Sequence, residues 1–332
     1  MIIIQQLSIH LSILSSQNFN HKNQILFTMS IIKNVAFVGP SGALGAPVLD
    51  VLIKSNKFNI TVLTRSTSKS TSHLPTSVTN LPVDFTSVES LTSALKSQNI
   101  DAVVSCVGAP GLKSQSVLID ASVAAGVKRF LPSEFGSDLS NPLTKSLPVF
   151  GDKITTQEYL EAAVAKNPSL TYTYVRNGSF LDWGLEHKLL LDLTSGKPTI
   201  YDGGDVVFSS TTLETIGQAV VGVLGKFEET KNRAVYIQDI QITQNRLLEL
   251  AKKVAPEKQW EPVHAETAKI LASSNEKLAK GEVTMEVMLG YIVVSLFGKE
   301  YGGKIEKTDN ELLGLKEKTD ADVEAILKKL IK

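Results

Sequence analysis

The chain has 332 residues, 42% of them apolar and 20% charged, and its 34 acids balance its 34 bases. That length and composition suit a water-soluble protein of one or two folding units at about 150 residues per domain, and the zero formal charge gives nucleic acid nothing to hold. The single cysteine, Cys106, excludes an internal disulfide and fits a reducing, cytoplasmic setting; the five histidines are scattered at no metal-ligand spacing.

Residues 1–28 contain no Asp or Glu and are rich in Ile, Gln, Asn and Ser. They lack the basic start and unbroken apolar stretch of a secretory signal, and have none of the arginines of a mitochondrial presequence. They read as a disordered extension or a mis-called start, with the folded part beginning near Met29; a targeting role is the alternative.

From Asn34 the pattern alternates between strand and helix. Val35 to Val38 is a short apolar strand, followed by a helix through Val48, Leu49, Leu52 and Ile53. Asn59 to Thr64 is a β-branched strand and Leu81 to Phe85 a weaker one. Then come a helix at Val88 to Leu95, a strand at Ala102 to Val107, a helix at Gln115 to Ala125, a strand at Arg129 to Pro132, a helix at Gly151 to Ala165 and a strand at Thr171 to Val175. This alternation predicts an α/β fold of the Rossmann type, a doubly wound parallel sheet covered on both faces, over residues 29–178. Residues 179–332 read as a smaller α+β region packed on it that shapes a substrate pocket. There, Thr199 to Ser209 predicts a hairpin turning at Asp202-Gly203-Gly204-Asp205, with helices at Thr212 to Leu224, Gln241 to Val254 and Asp320 to Ile331. The apolar run Val287 to Phe297 is shorter than the ~20 residues a membrane span needs and reads as a buried helix.

The segment Gly39-Pro40-Ser41-Gly42-Ala43-Leu44-Gly45 follows a strand and opens a helix. Its GxxGxxG spacing is that of a pyrophosphate loop: Gly39 for the tight turn, Gly42 for close backbone approach, Gly45 for helix–sheet packing, and free N–H groups at the helix start for the phosphates. Arg65 lies 20 positions after Gly45, at the end of the second strand, where an acid would select the ribose hydroxyls of NAD. An arginine there can pair with a 2′-phosphate, with Ser66 and Thr67 as further donors and Lys69 nearby, which makes NADPH the expected cofactor. Ligands of such sheets bind beyond the carboxyl ends of the strands. Those ends carry Val107-Gly108, Ser133 in Pro132-Ser133-Glu134-Phe135-Gly136, and Arg176-Asn177-Gly178. Lys153, after Phe150-Gly151-Asp152, sits in the first turn of a helix, where the helix dipole and partial burial both disfavour its charge and adjacent Asp152 opposes them; on the residues alone it reads as an ordinary surface lysine. No Tyr is followed four residues later by Lys, and no GxSxG elbow is present.

Together these residues resemble the NmrA-like and isoflavone-reductase-like family, an atypical branch of the short-chain dehydrogenases, from Lys33 to Phe180. Val127-Lys128-Arg129-Phe130-Leu131-Pro132-Ser133-Glu134-Phe135-Gly136 is close to a family signature. Phe150-Gly151-Asp152-Lys153 with Tyr172-Thr173-Tyr174-Val175 resembles the catalytic segment, and Tyr201-Asp202-Gly203-Gly204 is similar to fungal members. The resemblance implies an NADPH-dependent reductase of a small organic molecule, with Lys153 as general acid/base beside the nicotinamide. A non-catalytic dinucleotide sensor of the NmrA type is the alternative it also implies. The plant reductases carry basic residues soon after the lysine, where this chain has Thr155, Thr156 and Gln157.

Overall fold

Every side chain of the first strand from Val35 to Val38 is buried, and alternate residues go to opposite faces of one sheet. That is the signature of a parallel sheet sandwiched between helices, where no strand face meets water. The computed structural model describes residues 32–66 and 74–331. The expectations for residues 1–28 and Met29, and for the donors Thr67 and Lys69, lie outside the described residues.

The sheet has seven parallel strands in the order β10-β6-β5-β4-β1-β2-β3. They are β1 (Asn34–Val38), β2 (Asn59–Arg65), β3 (Thr79–Val83), β4 (Ala102–Ser105), β5 (Arg129–Leu131), β6 (Thr171–Arg176) and β10 (Arg233–Tyr236). The order reverses at β1, with β2 on one side and β4 on the other. A crevice opens above the carboxyl ends at such a switch point.

On one face, Val35, Phe37, Val62 and Val104 pack with Val48 and Leu52 of α1 (Gly45–Lys54) and with Ile216, Val220 and Val223 of α6 (Leu213–Gly225). On the other, Ala36, Val38 and Val103 meet α2 (Val88–Ser97), α3 (Gln115–Ala125) and α4 (Gly151–Lys166) through Leu91, Leu95, Leu118, Ile119 and Leu160. The sequence expectations for these elements agree to within a few residues, except at β10, for which there was none. Two elements beyond residue 178, α6 and β10, complete this layer, and Ile32–Lys332 form one compact unit.

Among the described residues, the rest of the chain forms two small sheets and, besides single helical turns at Phe227–Thr230 and Asn310–Leu313, five longer helices, with a third core between them. β7 (Ser179–Phe180) pairs in parallel with β9 (Phe208–Thr211), which pairs antiparallel with β11 (Ile240–Ile242). β8 (Thr199–Tyr201) pairs in parallel with β12 (Val263–Ala265). The helices are α5 (Leu181–Glu186), α7 (Gln244–Val254), α8 (Thr267–Ala279), α9 (Met285–Phe297) and α10 (Asp320–Leu330). The hairpin expected over Thr199 to Ser209 is therefore not formed, since β8 and β9 belong to different sheets. Asp202, Gly203 and Gly204 all have positive φ (47°, 83° and 84°) and make a tight helical turn that separates the strands. The Asp202 carboxylate accepts the Thr267 N–H at 2.8 Å and so caps α8. The helix expected from Gln241 begins later, at Gln244, because Ile240–Ile242 is a strand and Thr243 is the N-cap, its hydroxyl accepting the Arg246 N–H. α9 matches the buried helix expected at Val287 to Phe297. Its residues Val287, Tyr291 and Val294 pack on Leu139, Leu147 and Phe150, which joins the C-terminal region to the start of α4. Among the described residues, no helix is long and apolar enough to cross a membrane.

Candidate functional site

The turn after β1 is fixed by two glycines and left open by a third. Gly39 has φ +86°, and a Cβ on it would lie 2.5 Å from the Cys106 carbonyl oxygen. A Cβ on Gly45 would lie 1.8 Å from the Gly39 carbonyl oxygen, so α1 packs against the turn only because residue 45 has no side chain. A Cβ on Gly42 would meet nothing closer than 3.7 Å. The protein thus leaves room in front of Gly42. α1 starts with no side-chain cap and no acid in its first turn, so no side chain of its own competes with an anion for the helix start.

A cleft of about 460 Å³ lies over this turn. Gly39, Pro40, Ser41, Gly42, Arg65, Val107 and Gly108 line it together, which brings seven of the expected cofactor residues to one place. Arg65 is exposed at the end of β2 and, among the described residues, has no acidic partner. None of the residues lining the cleft is an Asp or Glu. The remaining expected residues are placed differently. Ala43 is exposed beside the cleft, Leu44 packs partly on the core, and Gly45 is buried under the turn. Ser133 is buried behind the cleft wall, where its hydroxyl donates to the Val107 carbonyl at 2.7 Å and its N–H donates to Gln115 Oε1 at 2.8 Å. Cys106, also in the wall, is buried, and burial pushes its thiol far above the usual range. Its side chain packs in the core beneath the turn.

The cleft also uses residues not expected to line it: Phe85 after β3, and Gly111 and Ser114 in the turn of helix that follows Gly108. Their signal was position, since each follows the carboxyl end of a strand.

Lys153 does not line this cleft. It lies in the first turn of α4, half-buried, and its ammonium donates to the backbone carbonyls of Glu134 and of Phe135, the latter at 3.3 Å. Burial lowers its pKa to about 8, Glu134 opposing that shift and Arg176 adding to it. The strap Ser133–Gly136 after β5 connects it to the cleft: Ser133 holds Val107 in the cleft wall, and the next two residues hold the lysine.

The strap is itself clamped. The Glu134 carboxylate forms a salt bridge with Arg176 at the end of β6 and accepts the Gln157 amide at 2.7 Å. The Gly136 carbonyl accepts the N–H groups of Asn177 and Gly178, both at 3.1 Å. Gly178 is required there, with φ +62° and a Cβ that would fall 2.2 Å from the Ser209 carbonyl oxygen.

A doubly wound sheet with a glycine-built turn and a cleft at its switch point defines the class: a Rossmann-type protein. The NmrA-like family model matches residues 32–280, and the chain belongs to that family. It is 33% identical over 300 residues to the oxidoreductase poxI of Penicillium oxalicum, covering 86% of this chain and 90% of that one. It is 36% identical over 289 residues to the oxidoreductase aprR of Aspergillus flavus, covering 85% and 94%. Among solved structures, AtPrR2 with NADP+ and (+)pinoresinol superposes with a TM-score of 0.73 at 23% identity, over 90% of this chain and 99% of that one, and so shares the fold.

Proposed function

We propose that this protein is an NADPH-dependent reductase of a small organic substrate, with Lys153 as its general acid/base. The observation that carries the reading is the gathering of Gly39–Gly42, Arg65 and Val107-Gly108 around one cleft with no acidic lining residue. The residues fit the cofactor: the space before Gly42 and the uncapped start of α1 suit a pyrophosphate, and the exposed guanidinium of Arg65, with no acidic partner among the described residues, suits a 2′-phosphate. The names of the fungal relatives and the NADP+ of the structural neighbour support the same reading.

Bound NADPH supplies a hydride, and the protein supplies binding, orientation and the proton. Val107 and Gly108 hold the cleft wall at the carboxyl end of β4, and Ser133 fixes that wall by bonding the Val107 carbonyl. Lys153, held against the strap that continues from Ser133, delivers or takes the proton. A lysine with a pKa of about 8 has both forms available near neutral pH. The packing of α9 on Phe150 places the C-terminal region against the lysine's segment, where it would shape the substrate pocket. Hydride reduction of an activated double bond is the reaction class that these parts serve.

A fluorescence titration with NADPH, NADP+, NADH and NAD+ tests the cofactor, and NADPH oxidation by Lys153→Ala tests the acid/base. NADPH should bind at least about tenfold tighter than NADH, and the variant should bind NADPH normally while losing turnover. Equal binding of NAD+ and NADP+ in preference to the reduced forms would replace this reading with a dinucleotide sensor.

A further inference from the structure

We infer that the buried Glu134–Arg176 pair, with Gln157, is a positioning device that sets the place and charge balance of Lys153 without taking part in dinucleotide binding. The inference rests on the reading of Lys153 as the acid/base.

The geometry closes on itself. Lys153 and Gln157 are four residues apart, on one side of α4. The lysine grips the backbone carbonyl of Glu134, and the glutamine grips its side chain. From the opposite side, Arg176 holds the same carboxylate and reaches the Ser137 carbonyl at 3.4 Å, while Gly136 bridges to Arg176 through the backbone. The strap on which the ammonium rests is thus gripped by a helix on one side and the end of β6 on the other.

Stability does not account for this arrangement. The two side chains are 4% and 1% exposed, and Glu134 Oε1 and Arg176 Nε have no hydrogen-bond partner. A buried ion pair with unmatched polar atoms recovers its desolvation cost poorly, and apolar residues of the same volume would serve packing as well or better. What apolar residues would not supply is two opposite charges beside Lys153. Glu134 favours the ammonium and Arg176 disfavours it, so that together they leave burial as the main influence. The other charged groups nearby are few. α4 contributes Asp152 and Glu161, the latter accepting the hydroxyl of Tyr174, whose ring lies 5.6 Å from the Arg176 guanidinium; the loop after the strap contributes Asp138, which accepts the Tyr236 hydroxyl at 3.1 Å. α9, packed on Phe150 and Ile154, has Glu286 as its one charged residue, paired with Lys277.

The test is a pH titration of the full chain, labelled with ¹³C at lysine Cε and followed by NMR. The Lys153 signal is the one missing from Lys153→Arg. Glu134→Gln should lower its midpoint and Arg176→Gln should raise it, each by on the order of one pH unit, while NADPH affinity stays within about twofold in both. Midpoints that stay put, or that move the same way in the two variants, would overturn the inference. If either variant does not fold, Gln157→Leu takes its place: removing one donor from Glu134 should raise the midpoint by a few tenths of a unit, and no movement would overturn the inference equally. The titration needs no substrate, so it separates the two ideas. Opposed shifts alongside full turnover in Lys153→Ala would overturn the acid/base reading and leave the coupling standing.

Discussion

The dinucleotide cleft and the lysine strap lie on neighbouring strand ends of one sheet, yet they are built on opposite plans. The cleft is made of backbone and empty space: glycines, an uncapped helix start and a single exposed arginine. The strap is held by side chains and has no space: the buried Glu134 carboxylate meets the Arg176 guanidinium and the Gln157 amide, while the Lys153 ammonium rests on the strap's backbone carbonyls. A binding site for a large polyanion needs room and free donors. A proton-transfer group needs its surroundings fixed. On the reading proposed above the same sheet supplies both, and each should fail in its own way when changed.

The largest expected effect separates the roles of glycines within the cleft. Gly45→Ala places a methyl 1.8 Å from a backbone oxygen that a helix and a strand hold in place. It should destabilise the fold by on the order of 5 kcal/mol, read by urea denaturation. Gly42→Ala meets nothing closer than 3.7 Å. It should melt within about 2 °C of the parent and still lose NADPH binding, because the methyl takes the space meant for the phosphates. If Gly42→Ala binds NADPH as the parent does, the loop is not a phosphate site.

Next is the strap. Glu134→Ala leaves Arg176 buried and unpaired, which should cost about 4 kcal/mol. The double replacement Glu134→Leu with Arg176→Met removes both charges and should cost much less. Chemical denaturation of the two variants measures the gap. If the single and double variants are equally unstable, the pair is structural in the ordinary sense and the contrast with the cleft weakens.

A smaller effect is expected at Arg65, and only in the presence of the phosphorylated cofactor. Arg65→Ala should weaken NADPH binding by about 2 kcal/mol, the worth of a charge-assisted contact. NADH binding and the melting temperature should not change, since Arg65 is exposed and holds no acid among the described residues. Calorimetric titration with both dinucleotides decides it.

The two plans also explain what the sequence could disclose. The cleft is local: the three glycines fall within seven residues and the arginine follows at the end of the next strand. Spacing along the chain therefore carried it, as it carried the sheet, whose buried strands and flanking helices repeat at short range. The strap joins residues 134, 157 and 176, which only the fold brings together. Glu134 stood out as part of a signature and Arg176 as the end of a strand, but nothing in either position showed that they pair. Gln157 stood out only as a neutral residue where plant relatives are basic, and its bond to Glu134 is visible only in three dimensions. The misread hairpin has the same cause. Asp202-Gly203-Gly204-Asp205 has the residues of a tight turn and makes one, but the partner of β8 is β12, some sixty residues further on, and no turn residue encodes that choice. The seventh strand, β10, went unread because its four residues follow a helix with no alternation to mark them.

An effect no larger in scale than that at Arg65 lies in the pH dependence of stability, and its sign follows from burial. Lys153 has a pKa of about 8 in the fold, against the usual 10.5 of an exposed lysine. Its charged form is therefore disfavoured by folding. Above pH 10.5 the lysine is neutral in both states and costs nothing. As pH falls from there towards 8, the unfolded chain takes up the proton first and the fold loses stability; below 8 the loss is complete. The parent should thus gain stability relative to Lys153→Met as pH rises from 7 to 10, by on the order of 2 kcal/mol. The methionine keeps the length of the side chain and removes the titration, though it leaves the Glu134 and Phe135 carbonyls without their donor at every pH. That loss is a constant offset, so the slope carries the information. Urea denaturation of both proteins at pH 7, 8.5 and 10 measures it. A gap that does not change with pH would mean that Lys153 titrates as a surface lysine does, and the strap would then be no different in kind from the open cleft beside it.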